Sequence, residues 1–287
     1  MNSFTLPAQT HIGYAHFYTA DLSRSLDFYG EKMGFQRLAD EDGTAVLSAD
    51  GTTPHIKLTE HRDWLPKPQR STGLYHVAIR VPNRQALANL FGRLVSQRYP
   101  FGGFSDHLVS EALYLDDPDG NGLELYHDRP RSEWTYLDNK QVKMSTLALD
   151  VDKLLSEADL PAWSGIDKGT DIGHVHLHIA DLKQARAFYV DLLGLEIASD
   201  WSAHGALFVS AGGYHHHLGL NIWAGSQRQP PGTLGLREYT LTIPDAAAFE
   251  QLQTRLNEAG VKAEPQPDNS LLIHDQVGNA TRLVNSA

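Results

Sequence analysis

Residues 11–35 (HIGYAHFYTADLSRSLDFYGEKMGF) and 171–195 (DIGHVHLHIADLKQARAFYVDLLGL) superpose without a gap at an offset of 160. A match of that length marks an internal duplication and restricts the chain to folds built by repeating one unit. At an offset of 162, AVLSADG (45–51) faces LFVSAGG (207–213), and AIRVPN (78–83) faces TLTIPD (240–245). The duplication therefore runs through most of the 287 residues, a length that suits two domains.

A shorter syllable recurs inside each half: a strand, a helix, then three strands. Residues 12–19 alternate as a strand. Asp21 is placed to cap a helix whose apolar Leu22, Leu26, Tyr29 and Met33 share one face, and Gly34 stops it. Strands follow over 35–38, 45–49 and 55–59. The second unit starts with a strand over 75–81 and a helix over 84–98, and ends with strands over 111–115 and 123–127. Units three and four begin at Gly173 and Arg237. The predicted fold is α+β, with four βαβββ units in two tandem domains, 1–128 and 172–287. A connector over 129–171 carries one predicted helix at 145–158 and is expected to pack on the surface. Each unit's sheet is too small to bury both faces, so units should pair around a shared cleft.

Composition narrows the chemistry. The net charge of −11 repels phosphate backbones and anionic lipid, which argues against nucleic acid and membrane as partners. There is no cysteine, so disulfides, thiolate sites and cysteine nucleophiles are excluded, and any metal must be held by nitrogen and oxygen. No leader-like or membrane-spanning stretch is visible, and the chain reads as cytoplasmic.

Fifteen histidines are the obvious ligand supply. Ligands from different strands converge at the first-strand position of each unit and on its last strand. In unit two these positions hold His76 and Glu124; in unit three the first-strand position is His174, and in unit one it is Tyr14. His174, His176 and His178 share one face of their strand, so His176 competes with His174 as the ligand. His16, His55 and His127 read as structural.

Residues 107–124 carry a longer pattern, formed by His107, Leu113, Tyr114, Asp117, Pro118, Gly120 and Glu124. It resembles the signature of extradiol ring-cleavage dioxygenases of the catechol 2,3-dioxygenase type, within the vicinal oxygen chelate superfamily that also contains glyoxalase I. Ser105 departs from it, standing where the pattern usually has Gly, Asn, Thr, Ile or Val. The resemblance implies that His76, Glu124 and His174 form a two-histidine, one-carboxylate face for Fe(II), open to a small aromatic diol and O2. Its implied product is a ring-opened semialdehyde. Large members of that type draw their ligands from the C-terminal half, whereas here unit four offers Glu238 and Arg282. Units one and four would then form a dead site with those two paired, and units two and three the live one.

Further roles follow from the same resemblance and from strand alternation. His215, His217, Gly219 and Asn221 are expected on the cleft face, with His217 as proton acceptor and His215 and Asn221 as substrate contacts. Tyr114 should hydrogen-bond a substrate oxygen and His107 should orient the migrating one. Two other functions fit the scaffold. A glyoxalase-type lyase or isomerase would use Mn, Ni or Zn and a fourth ligand, and a metal-free module would bind an aromatic ligand. The absence of a carboxylate near 219–223 favours oxygen chemistry. A homo-oligomer is left open.

Overall fold

The computed structural model describes residues 4–38, 40–41 and 43–286. Four units follow one another: β1 (His11–Thr19) to β4 (Ile56–Glu60), β5 (Gly73–Arg80) to β8 (Gly122–Asp128), β9 (Asp171–His178) to β12 (Leu218–Asn221), and β13 (Gly235–Ile243) to β16 (Ala280–Asn285). Between them lie β2 (Gln36–Arg37), β3 (Thr44–Ser48), β6 (Gly103–Asp106), β7 (Ser110–Asp116), β10 (Glu196–Trp201), β11 (Ala206–Ser210), β14 (Glu264–Pro265) and β15 (Leu271–His274).

After its first strand each unit turns into a helix at the same kind of cap. Asp21, Asn83, Asp181 and Asp245 accept from the backbone N–H three residues on, at 3.0, 2.9, 2.8 and 2.8 Å. Each cap satisfies an orphan donor and is worth about 1 kcal/mol. The helices so started are α1 (Leu22–Leu26), α2 (Arg84–Ser96), α4 (Leu182–Ala185) and α5 (Ala246–Glu258). In units one and three the helix widens into a π-turn, at Asp27–Lys32 and Arg186–Leu192.

The sheets are assembled across the two halves. One has the order β14-β15-β16-β13-β1-β4-β3-β2, the other β10-β11-β12-β9-β5-β8-β7-β6. Units one and four thus share a sheet, and so do units two and three, joined in each case by antiparallel pairing of first strands. The two units of one half sit on different sheets, tied by buried bonds: the Tyr29 hydroxyl donates to Asp117 Oδ2 and the Tyr189 hydroxyl to Asp275 Oδ2, both at 3.0 Å. One hydrophobic cluster runs through both sheets and includes Phe17, Leu58, Ile79, Leu125, Leu177 and Leu241.

The connector departs from expectation. The helix predicted over 145–158 is confined to α3 (Val151–Ser156), because the cap is Asp150, whose Oδ1 accepts from Lys153 N at 3.0 Å. Upstream the chain is extended, with Leu147 and Asp106 exchanging two backbone bonds of 2.9 Å. Residues 144–146 are thereby laid along the second sheet instead of being coiled away from it.

In the first sheet, the positions matching the candidate ligands hold Tyr14, Glu238 and Arg282. Arg282 binds Glu238 in a two-pronged pair, Nε to Oε1 at 2.6 Å and Nη2 to Oε2 at 3.1 Å, and the Tyr14 hydroxyl donates to Glu238 Oε1 at 3.0 Å. A guanidinium therefore supplies the positive charge that this buried carboxylate needs. Arg282→Ala should destabilise the protein by about 3–5 kcal/mol in urea unfolding, because the buried Glu238 side chain loses its cation and keeps only the Tyr14 hydroxyl. The double change Glu238→Gln with Arg282→Met should recover most of that loss, since no buried charge remains.

Candidate metal centre

His76 on β5, Glu124 on β8 and His174 on β9 offer one donor atom each within 4.8 Å of one another, and all three residues are buried. Parallel pairing of β5 with β8 sets Glu124 beside Ala78, and antiparallel pairing of β5 with β9 sets His174 opposite that same Ala78. His76 stands two residues away on the same face. The carboxylate thus lies between the two imidazoles: His76 Nε2 is 3.0 Å and His174 Nε2 3.3 Å from Glu124 Oε2. Although so close, His76 Nε2 makes no hydrogen bond and is a buried nitrogen without a partner. An orphaned buried donor aimed at a shared point is costly for a protein and suits a cation there.

Electrostatics agree with that fit. Burial holds the His174 imidazole down to about 4, so it is neutral at pH 7 with a lone pair to give. Burial opposes ionisation of Glu124, but His174 and His76 overcome it and hold the carboxyl well below its ordinary range. Two imidazoles and one carboxylate form a nitrogen and oxygen donor set that suits a divalent metal ion.

The fourth position of this symmetric arrangement is a glycine. Gly219 pairs with His176 as Glu124 pairs with Ala78. A Cβ on Gly219 would lie 2.7 Å from the His176 ring, so the imidazole of His176 fills the space a fourth ligand would need. His176 Nε2 in turn accepts from Asn221 Nδ2 at 3.0 Å. Between His174 and His176, then, it is His174 whose donor converges with His76 and Glu124.

The centre opens on a cavity of about 530 Å3 whose wall includes His107, Tyr114, His215 and His216. The His107 Nδ1–H donates to the Ser145 carbonyl at 2.7 Å, because a carbonyl only accepts. With Nδ1 donating, Nε2 is placed to accept from the Tyr114 hydroxyl at 2.7 Å. Burial and the Glu124 charge push the Tyr114 phenol well above its usual range, so it stays protonated. On the other side, His215 Nε2 donates to Asp128 Oδ1 at 2.9 Å, and His215 Nδ1 lies 2.8 Å from His216 Nδ1. Asp128 is ionised: burial would raise its carboxyl, but His215, Arg80 and Tyr214 hold it at about 2.

Two expectations are corrected. His217 lies away from the cavity, its Nδ1 accepting from Ala211 N at 3.1 Å. Residues 215–217 bend ahead of β12, so the strand's period of two does not extend back into them. Asn221 likewise is no part of the wall; it is buried and bonds His176 and His178. His216 is the cavity residue that alternation hid, with its ring 4.0 Å from that of His174. A signal existed: His55 sits at the 162 offset from His217, and its Nδ1 accepts from Ala49 N at 3.2 Å in the same way.

Fold and centre together define a class. The chain belongs to the Glyoxalase/Bleomycin resistance protein/Dioxygenase superfamily, which residues 11–125 and 171–271 match. Among curated proteins it is similar to the catechol-2,3-dioxygenase of Bacillus subtilis (strain 168), 45% identical over 274 residues, covering 94% of this chain and 95% of the relative. Its fold is shared with a candidate dioxygenase from Bacillus subtilis subsp. subtilis str. 168, at a TM-score of 0.69 and 14% identity, covering 98% of this chain and 86% of the other. Glyoxalase I from Zea mays also shares it, with a TM-score of 0.59 and 17% identity over 96% and 92% of the two chains. No helix among the described residues is long and apolar enough to cross a membrane.

Metal-free protein should melt at a higher temperature when Fe(II) is added under argon, and at a hundredfold excess over Kd the gain is about 2.7 kcal/mol. Glu124→Gln should abolish most of that gain. Metal-free protein should also weaken in acid. Burial holds His16 and His217 at about 3, and His174 and His178 at about 4. As pH falls below the unfolded value near 6.5, the unfolded chain gains protons that the folded state refuses, so stability present at pH 7 is lost toward pH 4. The urea midpoint should drop between pH 7 and 5, each histidine contributing on the order of 2 kcal/mol.

Proposed function

We propose that the protein is an extradiol dioxygenase that cleaves the ring of a catechol with O2 at a single Fe(II) held by His76, Glu124 and His174. The observation that carries this reading is the three-donor set facing a cavity, with Gly219 and His176 in place of a fourth ligand. Held by His76, Glu124 and His174, an Fe(II) ion would supply the Lewis acidity and redox chemistry that bring a catechol and O2 to reaction. Support also comes from the 45% identical relative named catechol-2,3-dioxygenase.

The chain's own residues handle protons and orientation. The Asp128 carboxylate fixes His215 with its proton on Nε2, which leaves His215 Nδ1 bare to accept from His216 Nδ1–H. Burial holds the His216 imidazole well below its ordinary value, so it stands neutral with Nε2 as the lone pair beside the centre, placed to accept a proton from the catechol hydroxyl. The imidazolium so formed is steadied through His215 by Asp128, as a buried carboxylate steadies a catalytic histidine elsewhere. On the opposite side the Tyr114 hydroxyl gives its one proton to His107 Nε2, which leaves its oxygen to accept from a substrate hydroxyl. A glyoxalase-type reaction is less well served, since it asks for a fourth ligand where His176 sits. A metal-free module would leave His76 Nε2 buried without purpose.

The test is anaerobic loading with Fe(II), then O2 uptake and appearance of the yellow ring-opened product from catechol. Wild type should consume O2 and catechol one to one, and Glu124→Gln should show no uptake above background; equal uptake in both would overturn the assignment. His216→Gln should lower kcat by about 100- to 10,000-fold, the usual worth of a positioned acid–base group. His217→Gln should leave kcat within about threefold of wild type, judged against the modest effects usual away from the chemistry.

A further inference from the structure

We infer that the connector is a clamp on His107, and that Arg129, its first residue, is the positioning residue of that clamp. The inference rests on the ring-cleavage reading above and adds to it what holds one of its side chains in place.

His107 stands at the turn between β6 and β7, and that turn does not support itself. Leu108, the next residue, has φ +70°, in the left-handed region that a leucine side chain disfavours. The matching turn between β14 and β15 has Asn269 at φ +61°, and asparagine tolerates that region. A residue held there against its preference persists only where its surroundings fix it.

Here the surroundings are the connector. The Arg129 guanidinium donates from Nη1 to the Leu108 carbonyl at 3.2 Å and from Nη2 to Asp106 Oδ2 at 2.7 Å. Asp106 Oδ1 accepts from Leu108 N at 2.8 Å, so one carboxylate ties the left-handed residue to the guanidinium. Arg129 N donates to the Val109 carbonyl at 2.8 Å. Farther along, Leu147 N donates to the Asp106 carbonyl at 2.9 Å and Ser145 N to the His107 carbonyl at 3.4 Å. Every backbone carbonyl from Asp106 to Val109 therefore accepts from the connector. The clamp is itself seated: Trp134 Nε1 donates to the Arg129 carbonyl at 2.9 Å and the indole packs with Val109, Val142 and Tyr214.

The clamp sets what His107 can do. With its Nδ1–H spent on the Ser145 carbonyl, His107 turns Nε2 to the Tyr114 hydroxyl. If the turn relaxes, that pair loosens, and a displacement of about 1 Å can cost on the order of 100-fold in rate. Arg129→Ala should therefore lower kcat by about 10- to 100-fold, with KM within about threefold of wild type. In a His107→Gln background the same change should cost less than about threefold, because residues that act as one unit are not additive. Leu108→Asn should restore most of the kcat that Arg129→Ala loses, since asparagine keeps the turn unaided. Arg129→Lys retains the charge without the two-pronged reach and carries the same comparison should the alanine variant fail to fold.

A second readout needs no turnover. In NMR of isotope-labelled histidine, on protein carrying diamagnetic Zn(II), the His107 Nδ1–H signal is the one lost in His107→Gln. It should broaden away in Arg129→Ala and return when Leu108→Asn is added. Losses that multiply in the double variant, a wild-type kcat in Arg129→Ala, or a His107 signal that ignores Arg129 would each overturn the inference. No O2 uptake by wild type, with the signal still following Arg129, would overturn the ring-cleavage reading and leave the clamp standing.

Discussion

The antiparallel contact between β5 and β9 is what the centre depends on. It joins the first strands of units from different halves and faces their imidazoles into one concavity, the rings of His76 and His174 lying 5.6 Å apart. β8, parallel to β5 on its other side, then brings Glu124 between them. A slip of one residue would turn every one of these side chains through the sheet into the apolar core. Arg80 guards the register near one end of the contact, its guanidinium bound across the strands to Asp171 and along β8 to Asp128.

The two sheets solve one electrostatic problem differently. Each holds a buried carboxylate at the junction of its paired units, Glu124 in one and Glu238 in the other. In the first sheet the compensating charge is built into the chain as Arg282, which also closes the space. In the second, among the described residues, Glu124 is paired with no arginine or lysine, and His76 and His174 stand against it instead. One junction is closed as a strut and the other is left as a candidate receptor, and the difference lies in the side chains on the first and last strands of the paired units.

Much of this was legible in the sequence because it is periodic. The helix caps, the first strands and the positions of His76, Glu124 and His174 repeat with the unit, so one copy interprets the others. Even the pairing of Glu238 with Arg282 follows from equivalent positions. What escaped was aperiodic. Residues 215–217 sit on a bend, where alternation says nothing about direction, and so His216 and His217 exchanged places. The connector has no counterpart in any unit, and nothing in 144–146 announces that it would lie beside His107. Gly219 escaped for another reason: its part is to lack a side chain, and the imidazole that uses the room comes from a strand more than forty residues away.

That glycine has an evolutionary consequence. An acidic residue at 219 collides with the ring of His176, and a smaller residue at 176 alone leaves a hole lined by Asn221 and a bare backbone. Gaining a donor at 219 therefore requires the residue at 176 to change with it. The two positions should thus change as a linked pair in any genealogy of these proteins.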